Sequence, residues 1–248
     1  MNKRVAVVTG GIGGLGTEIC KYLARAGRQV VAADLAARSE RVEAFRAEVA
    51  EFDGAIAFEP LNVADFTECG RFVERVGSSY GPVSVLVNAA GITRDTSLRK
   101  MTPEQWADVL RVNLDGVFNL CRHVVDGMTA QGFGRIVNIS SVNGQTGQFG
   151  QTNYSAAKAG MHGFTMALAR EVARKGVTVN SVSPGYCNTA MVQAVPEEIR
   201  NQIIANIPVG RLGEPREIAR TVEFLTADDA GFITGANIPV NGGYFMDF

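Results

Sequence analysis

The chain has 248 residues, of which 46% are hydrophobic and 20% charged, so it can bury a sizeable core, and we expect one domain spanning residues 1–248. Its formal net charge is −1 with both signs interspersed, which excludes the basic surface of proteins that bind nucleic acid or anionic membranes. The apolar run behind the N-terminus, Val5 to Val8, is too short for a signal peptide or a membrane span, and we expect a cytoplasmic protein.

The four cysteines are widely spaced along the sequence, at Cys20, Cys69, Cys121 and Cys187. They form no C-x-x-C pair, and no clustered histidines complete a metal-binding set. We therefore expect buried, reduced thiols and no metal site.

Short β-branched runs alternate with longer helical patterns throughout the sequence, and no repeat or linker interrupts them. This alternation is typical of an α/β protein whose parallel sheet is covered by helices on both faces. The predicted strands are Val5–Thr9, Gln29–Ala33, Ala55–Glu59, Val83–Val87, Arg135–Ile139, Val177–Val182 and Ala236–Val240.

A glycine-rich segment, T-G-G-I-G-G-L-G from Thr9 to Gly16, closes the first strand and opens the first helix. Such a loop lets the backbone approach a pyrophosphate closely, and the helix that follows presents unpaired N–H groups to it. Asp34 lies 18 residues beyond Gly16, at the end of the second strand, where a carboxylate can bind adenosine ribose hydroxyls. The sequence therefore predicts a dinucleotide site, and its candidate residues here are Gly10, Ile12, Gly13, Gly14, Leu15, Gly16 and Asp34.

Two further strand ends carry polar and small residues that fit the same crevice. Asn62 and Val63 follow the third strand, and the run N-A-A-G with Asn88, Ala89 and Gly91 follows the fourth. Open α/β sheets bind ligands at the carboxyl ends of their strands, so we predict that these residues contact the dinucleotide. The alternative is that each run is a turn without a ligand.

The longest helical pattern runs from Pro103 to Met128. Thr102 is its predicted N-cap, Pro103 takes the first helical position, and Gln105 is the capping-box partner. Asn113 lies inside this pattern, where asparagine is intrinsically unfavourable. We therefore favour a functional role for Asn113 over an ordinary surface position.

The segment from Ser141 to Lys158 begins at the end of the fifth strand and becomes helical from Thr152. Tyr154 and Lys158 are four residues apart and hence on one helical face. A free tyrosine has a pKa near ~10, and the lysine ammonium lowers it toward the range needed for acid–base catalysis. Ser141 approaches from the strand end and can hydrogen-bond a substrate carbonyl while Tyr154 donates its proton. The alternative is that both are ordinary helix residues.

These motifs occur in the order seen in the short-chain dehydrogenase/reductases, which the chain resembles over its whole length. The resemblance implies a single-domain Rossmann fold with a doubly wound, seven-stranded parallel sheet and helices on both faces. Longer runs, such as N-A-A-G-I-T-R-D and G-V-T-V-N-S-V-S-P-G-Y, look like acetoacetyl-CoA reductases of polyhydroxyalkanoate synthesis. The family motifs are the glycine loop, N-A-A-G at Asn88, Asn113, Ser141, Tyr154, Lys158, Pro184-Gly185 and Asn241-Gly242-Gly243.

The resemblance also implies roles for individual residues. Ser141 would orient the carbonyl, Tyr154 would donate the proton, and Lys158 would bind the nicotinamide ribose and lower the tyrosine pKa. Asn113 would support a proton relay through water. Hydride would come from a reduced nicotinamide cofactor, the product would be (R)-3-hydroxybutyryl-CoA, and the protein would be a homotetramer built on its two long helices. Further implied contacts are Pro184, Gly185 and Thr189 for the cofactor, and Asp95, Gln148, Phe149, Gln151 and Tyr186 for the substrate.

The chain departs from the family pattern at the cofactor site. Most users of NADPH in the family place a small or basic residue where this chain has Asp34, so we expect NADH to be favoured and NADPH to be weaker. Arg38 and Arg41 would permit NADPH if they turned toward the nucleotide. The alternative for both arginines is a solvated helix face paired with Glu40 and Glu43.

The sequence leaves the carrier of the substrate open. The segment with Glu197 and Glu198 is acidic, so the phosphates of coenzyme A would have to bind Arg94, Arg99 and Lys100 instead. The alternative is that these three residues form a solvated loop. A 3-oxoacyl-acyl-carrier-protein reductase would use the same chemistry and offer a basic surface to the acidic carrier, whereas residues 131–134 before the fifth strand are uncharged. A non-catalytic dinucleotide sensor is a third reading, and the intact set of candidate catalytic residues argues against it.

Overall fold

A computed structural model describes residues 3–52 and 54–246. Within them lies a seven-stranded sheet whose strands all run parallel, in the order β3-β2-β1-β4-β5-β6-β7. The strands are β1 (Val5–Thr9), β2 (Gln29–Asp34), β3 (Ile56–Pro60), β4 (Val83–Asn88), β5 (Gly134–Ile139), β6 (Val177–Pro184) and β7 (Asn237–Val240). All seven predicted strands are confirmed, with ends that differ from the predicted ones by two residues or fewer.

Ten α-helices accompany the sheet in this part of the chain. They are α1 (Gly14–Arg25), α2 (Ser39–Glu48), α3 (Phe66–Tyr80), α4 (Pro103–Leu110), α5 (Gly116–Gln131), α6 (Asn143–Thr146), α7 (Thr152–Val172), α8 (Ala190–Gln193), α9 (Glu197–Ala205) and α10 (Pro215–Thr226). None of the helices in the described residues is long and apolar enough to cross a membrane.

Two apolar clusters cover the two faces of the sheet, which explains why β1, β4 and β6 are buried along their whole length and rich in β-branched residues. On one face the strands pack against α3, α5 and α7. On the other they pack against α1, α2 and α10. This is the doubly wound Rossmann architecture that the family resemblance implies. All four cysteines are buried free thiols, as predicted.

The chain reverses its direction of winding between β1 and β4, which are neighbours in the sheet although β2 and β3 separate them in sequence. This switch point opens a crevice at the carboxyl ends of the two strands. Thr9 and Asn88 end these strands opposite each other, so the glycine loop and the N-A-A-G run meet there.

The predicted long helix is interrupted by one π-helical turn at Arg111–Asp115, between α4 and α5. Its start agrees with the prediction, because Thr102 and Gln105 form the capping box and Pro103 takes the first position. In the π turn the N–H of Gly116 donates to the carbonyl of Arg111, five residues back. The helix therefore changes its register at Asn113, which the sequence pattern did not indicate.

Candidate active site

The glycine loop forms a backbone cradle at the switch point. Gly10 has φ +64°, and a Cβ atom added there would lie 2.8 Å from the carbonyl oxygen of Ala89. No side chain caps the N-terminus of α1, where Gly13 is the N-cap. A Cβ on Gly14 would lie 3.2 Å from the Thr189 methyl, so Thr189 faces the start of the same helix. Bare N–H groups beside a loop that tolerates no side chains suit the phosphates of a dinucleotide.

Backbone hydrogen bonds to Thr9, and not the Asn88 side chain, hold the N-A-A-G run against the cradle. The N–H groups of Ala89 and Ala90 both donate to the Thr9 hydroxyl, at 3.1 Å. The Asn88 side chain is 3% exposed and donates to Asn138 Oδ1 at 2.8 Å, across β4 and β5. Of the predicted cofactor residues, Asn88 therefore turns its side chain into the sheet, and Ile12 is likewise fully buried.

Asp34 ends β2 beside the crevice, with both carboxylate oxygens engaged. Oδ1 accepts from the N–H of Leu35 at 2.8 Å, and Oδ2 accepts from Arg38 at 3.1 Å. Arg41 donates to the carbonyl of Ile12 and to the Thr17 hydroxyl. Neither arginine pairs with Glu40 or Glu43 among the described ion pairs. Arg38 pairs with Asp34, and Arg41 pairs with Glu48 of its own helix while it contacts the glycine loop.

After β3, Asn62 and Val63 form a turn. Asn62 Oδ1 accepts from the N–H of Ala64 at 3.1 Å, and the Asn62 N–H donates to Glu68 at 2.9 Å. Val63 is buried, and its carbonyl accepts from Asn119 at 2.8 Å. Without a ligand, Asn62 and Val63 thus form the turn that we considered as the alternative. Their contact with a nucleotide stays a prediction.

Pro184 and Gly185 lie at the other wall of the crevice. Gly185 donates its N–H to Val240 at 3.0 Å, and a Cβ atom on it would lie 2.8 Å from Asn241 Cα. The P-G and N-G-G motifs are therefore packed directly against each other, which fixes the start of the segment that carries Tyr186 and Thr189.

Three candidate catalytic side chains converge where β5 ends and α7 begins. Ser141 follows β5, and its hydroxyl accepts from the N–H of Asn143 at 3.1 Å. Lys158 lies 5.6 Å from the centre of the Tyr154 ring and donates from Nζ to the carbonyl of Ile139 at 2.7 Å. The structure therefore brings together the strand end and the helical face that the sequence placed side by side.

The direction of the Tyr154 pKa shift differs from the prediction. Burial raises the pKa of Tyr154 above its ordinary value, a hydrogen bond with Ser141 lowers it, and the charge of Asp95 raises it. Burial lowers the pKa of Lys158 to about 8. The predicted lowering of the Tyr154 pKa by Lys158 is thus wrong for the protein alone, because desolvation of the phenol dominates and the ammonium is bonded to a backbone carbonyl.

Asn113 is fully buried beside this group. Its Nδ2 donates to the carbonyls of Ile92 at 2.9 Å and Val109 at 2.8 Å, which fixes the direction of the amide. Its Oδ1 has no hydrogen-bond partner among the described residues. A Cβ atom on Gly91 would lie 2.6 Å from that oxygen and 3.7 Å from Lys158 Nζ. Asn113 therefore presents a free acceptor toward the lysine, as a relay through water requires.

A chain of amides links the substrate loop to Ser141. Gln151 donates to Asp95 Oδ2 at 2.8 Å and accepts from Asn143 at 2.9 Å, and Asn143 in turn donates its N–H to Ser141. Asn153 is fully buried and donates to the carbonyls of Arg94 and Gln105. Sequence reasoning missed both asparagines, because only the folded chain brings their partners near.

The remaining predicted substrate residues lie further out. Phe149 is 89% exposed and Gln148 is also exposed, at the tip of the loop before α7. Tyr186 packs edge-on against Tyr244, with ring centres 5.6 Å apart. The apolar wall predicted for Phe149 is therefore not formed in the protein alone.

The three basic residues considered for coenzyme A are all exposed. Arg99 and Lys100 lie exposed on a single 3₁₀ turn, Leu98–Lys100. Arg94 is exposed as well and lies 4.0 Å from Asp108. Among residues 3–52 and 54–246, no group of three or more His, Cys, Asp or Glu side chains is placed to hold a metal ion.

The residues fit a nicotinamide dinucleotide, since the glycines of the cradle leave little room for side chains and Asp34 lies at the end of β2. Asn113 Oδ1, near Lys158, is also without a hydrogen-bond partner among the described residues. Gly10 to Gly16 would hold the pyrophosphate, Asp34 the adenosine ribose, and Tyr154 with Lys158 the nicotinamide ribose.

Comparison with known proteins agrees with this geometry. A short-chain dehydrogenase/reductase family model described as "Enoyl-(Acyl carrier protein) reductase" matches residues 10–245. The chain is 55% identical to an acetoacetyl-CoA reductase of Allochromatium vinosum over 98% of its own length and 99% of the relative's. It is 55% identical to one from Rhizobium meliloti over 98% and 99%. It is 42% identical to a 3-oxoacyl-acyl-carrier-protein reductase of Haemophilus influenzae, over 99% and 100%.

These matches cover nearly the whole sequence at identities far above 30%. The family consists of oxidoreductases that bind NAD(P)(H). The chain belongs to the short-chain dehydrogenase/reductase family.

Proposed function

We propose that this protein is an acetoacetyl-CoA reductase, which reduces the 3-oxo group to give (R)-3-hydroxybutyryl-CoA in polyhydroxybutyrate synthesis. The observation that carries the proposal is the convergence of Ser141, Tyr154 and Lys158 beside the dinucleotide crevice. Four relatives named acetoacetyl-CoA reductase, 53% to 55% identical over nearly their full length, support the choice of substrate.

In the proposed mechanism, the Ser141 hydroxyl donates a hydrogen bond to the substrate carbonyl, since the Asn143 N–H already occupies its acceptor side. Tyr154 holds the proton that the carbonyl oxygen receives, and its raised pKa keeps the phenol protonated until charge develops on that oxygen. The bound, reduced nicotinamide supplies the hydride. Lys158, 5.6 Å from the Tyr154 ring centre, and the unpaired Asn113 Oδ1 near it would replace the proton of the phenol through water.

The acyl group would lie over the amide chain of the substrate loop. Gln151 is held by Asp95 and Asn143, so it can present a fixed polar edge to a short 3-oxoacyl group. Phe149 would close over the acyl chain and limit its length, and Gln148 and Tyr186 would complete the opening. The thioester would extend toward Arg94, Arg99 and Lys100, whose positive charges suit the phosphates of coenzyme A.

The decisive experiment compares kcat/KM for acetoacetyl-CoA and acetoacetyl-acyl-carrier protein. We expect a clear preference for the CoA thioester. The double variant Arg99→Ala/Lys100→Ala should raise KM for acetoacetyl-CoA and leave the KM of the cofactor unchanged. A matched control, Arg174→Ala/Lys175→Ala, removes an exposed Arg-Lys pair on another 3₁₀ turn. A preference of the unmodified enzyme for the carrier protein would instead assign it to 3-oxoacyl-acyl-carrier-protein reduction.

For the cofactor, we propose that NADH is favoured and that NADPH is used more weakly. Asp34 can accept hydrogen bonds from both adenosine ribose hydroxyls, whereas the extra phosphate of NADPH would meet its negative charge. Arg38 opposes this preference, because it already pairs with Asp34 and its charge suits a phosphate.

We further propose that the chain is one cytoplasmic domain that assembles as a homotetramer. The support for assembly is a set of exposed apolar side chains on the long helices: Trp106 on α4, Phe118 on α5 and Met166 on α7. Light scattering of the unmodified protein tests the assembly.

A further inference from the structure

His162 lies on α7 one turn beyond Lys158, and both of its ring nitrogens have partners. Nε2 is 3.1 Å from the Ser140 hydroxyl, on the residue that precedes Ser141. Nδ1 is 3.1 Å from the Ser181 hydroxyl of β6. The imidazole therefore joins the helix that carries Tyr154 and Lys158 to two strands of the sheet.

The partners of Ser140 decide which nitrogen carries the proton. The Ser140 hydroxyl donates to the backbone carbonyl of Lys158 at 2.9 Å, so its single proton is used there. Its oxygen must then accept from His162, which places the imidazole proton on Nε2. Nδ1 then faces the Ser181 hydroxyl at 3.1 Å, and that hydroxyl can donate either to Nδ1 or to Asn237 Oδ1, which is also 3.1 Å away.

The neutral form of His162 fits this arrangement. Burial, followed by the charge of Lys158, lowers the pKa of His162 below its ordinary value. The side chains that contact the ring from β5 and β6, Ser140 and Ser181, are uncharged. A neutral imidazole with the proton on Nε2 thus makes a definite hydrogen bond to Ser140.

Ser140 is therefore held by the same helix at two points, the carbonyl of Lys158 and the ring of His162. Its neighbours in the chain, Ile139 and Ser141, contact Lys158 Nζ and the Tyr154 phenol respectively. A shift of Ser140 would consequently change the separation between Ser141 and the Tyr154–Lys158 face.

We propose that His162 is a positioning residue, which acts through Nε2 and Ser140 to fix the distance between Ser141 and the helical face of Tyr154 and Lys158. The proposal rests on the catalytic roles proposed above for those three residues. It assigns the positioning role to the hydrogen bond of Nε2 and not to that of Nδ1. The two nitrogens can be tested separately, because glutamine replaces Nε2 and asparagine replaces Nδ1. The amide nitrogen of Gln occupies the position of Nε2, and that of Asn the position of Nδ1.

The test compares His162→Leu, His162→Gln and His162→Asn by kcat, KM and thermal unfolding. His162→Leu should lower kcat by ~10-fold with an unchanged KM for the cofactor, since a misplacement of about 1 Å can cost up to ~10²-fold. His162→Gln should restore kcat to within about threefold of the unmodified enzyme, and His162→Asn should not. Ser140→Ala, which removes both bonds of this hydroxyl, should lower kcat at least as much as His162→Leu, and the double variant should be no worse than Ser140→Ala.

Thr165→Val provides the structural control. Asn138 of β5 donates to the Thr165 hydroxyl at 2.9 Å, so this buried bond joins the same strand and helix further from the site. Thr165→Val should lower the unfolding temperature and leave kcat unchanged. Unchanged kcat in His162→Leu, equal activity of the Gln and Asn variants, or an equal loss in Thr165→Val would each overturn the proposal. Where the Leu variant does not fold, the Gln and Asn pair decides.

Two substrates separate this proposal from the proposed function. Each variant is assayed with acetoacetyl-CoA and with a small 3-oxo ester. Reduction of the ester without the thioester would contradict the proposed substrate and leave the ranking of the His162 variants intact. A ranking that is absent with both substrates would contradict the role of His162 alone.

Discussion

Lys158 Nζ donates to the backbone carbonyl of Ile139 at 2.7 Å, so the lysine on the helix is bonded to the strand that delivers Ser141 two residues later. This side chain is 3% exposed, and no carboxylate of the described residues pairs with it. The buried ammonium is therefore stabilised mainly by a neutral carbonyl, and its charge lowers the stability of the folded protein.

We predict that Lys158→Met lowers activity and raises stability. Folding lowers the pKa of Lys158 from 10.5 to about 8, so the folded protein disfavours the charged form. This penalty is fully present below pH 8. It declines as the pH rises from 8 toward 10.5, because the folded protein has already lost the proton and the unfolded chain gains less and less from keeping it. It is on the order of 3 kcal/mol at about 1.4 kcal/mol per pKa unit.

Chemical denaturation of both proteins at several pH values measures this difference. The stability advantage of Lys158→Met should narrow between pH 8 and pH 10. A variant that is less stable than the unmodified protein at pH 7 would show that the bond to Ile139 outweighs the burial of the charge.

Tyr154→Phe should keep the fold and dinucleotide binding while it removes the proton donor. Positioned acid catalysis contributes ~10²–10⁴-fold, and we expect kcat to fall by that factor. Tyr80→Phe is the matched control, since its hydroxyl contacts Glu59 on the far edge of the sheet, at 3.3 Å. Near-normal turnover by folded Tyr154→Phe would mean that another group is the acid.

Gly91→Ala should strongly reduce kcat without unfolding the protein. The added methyl would lie 2.6 Å from Asn113 Oδ1, so it would displace the acceptor that faces Lys158. Gly77→Ala on α3 is the control, because its Cβ would meet no atom within 4 Å, and replacing a helical glycine stabilises by about 1 kcal/mol. Activity equal to that of Gly77→Ala would remove Asn113 from the proton relay.

The preference for NADH over NADPH should depend on Asp34. We expect kcat/KM to favour NADH by at least ~10-fold, which corresponds to about 1.4 kcal/mol, within the range of one charge-assisted hydrogen bond. Asp34→Ser should narrow or reverse this ratio. Arg38→Ala should widen it, because Arg38 is the cation beside Asp34 that can neutralise the added phosphate. If the unmodified enzyme used NADPH and NADH with equal kcat/KM, Arg38 and Arg41 rather than Asp34 would determine the cofactor preference.

The sequence predicted the central strands well because β1, β4 and β6 are fully buried runs rich in β-branched residues. The start of α4 was also predictable, since the Thr102–Gln105 capping box depends on neighbouring residues alone. Tyr154 and Lys158 share a helical face by spacing, and the structure retains that relation.

What the sequence missed depends on contacts between distant segments. Asn143 bonds to Gln151, and Asn153 bonds to Arg94 and to Gln105 of α4, and the residues adjacent to these asparagines give no sign of those partners. The direction of the Tyr154 pKa shift was predicted from one neighbour, whereas desolvation by the whole fold sets it. The contact of Arg38 depends on where β2 places Asp34, and that of Arg41 on where the glycine loop places the carbonyl of Ile12.

The π turn at Arg111–Asp115 makes the position of Asn113 depend on the number of residues in this helix. Each residue advances an α-helix by about 100°, so removing one residue from the turn would rotate α4 against α5 by roughly that angle. The Thr102 cap and the buried face of α5 anchor the two ends, and the rotation would therefore fall on Asn113, whose amide bonds hold it to Ile92 and Val109. A single-residue deletion here is thus a more severe lesion than most substitutions, because it changes the phase of the helix and not its composition.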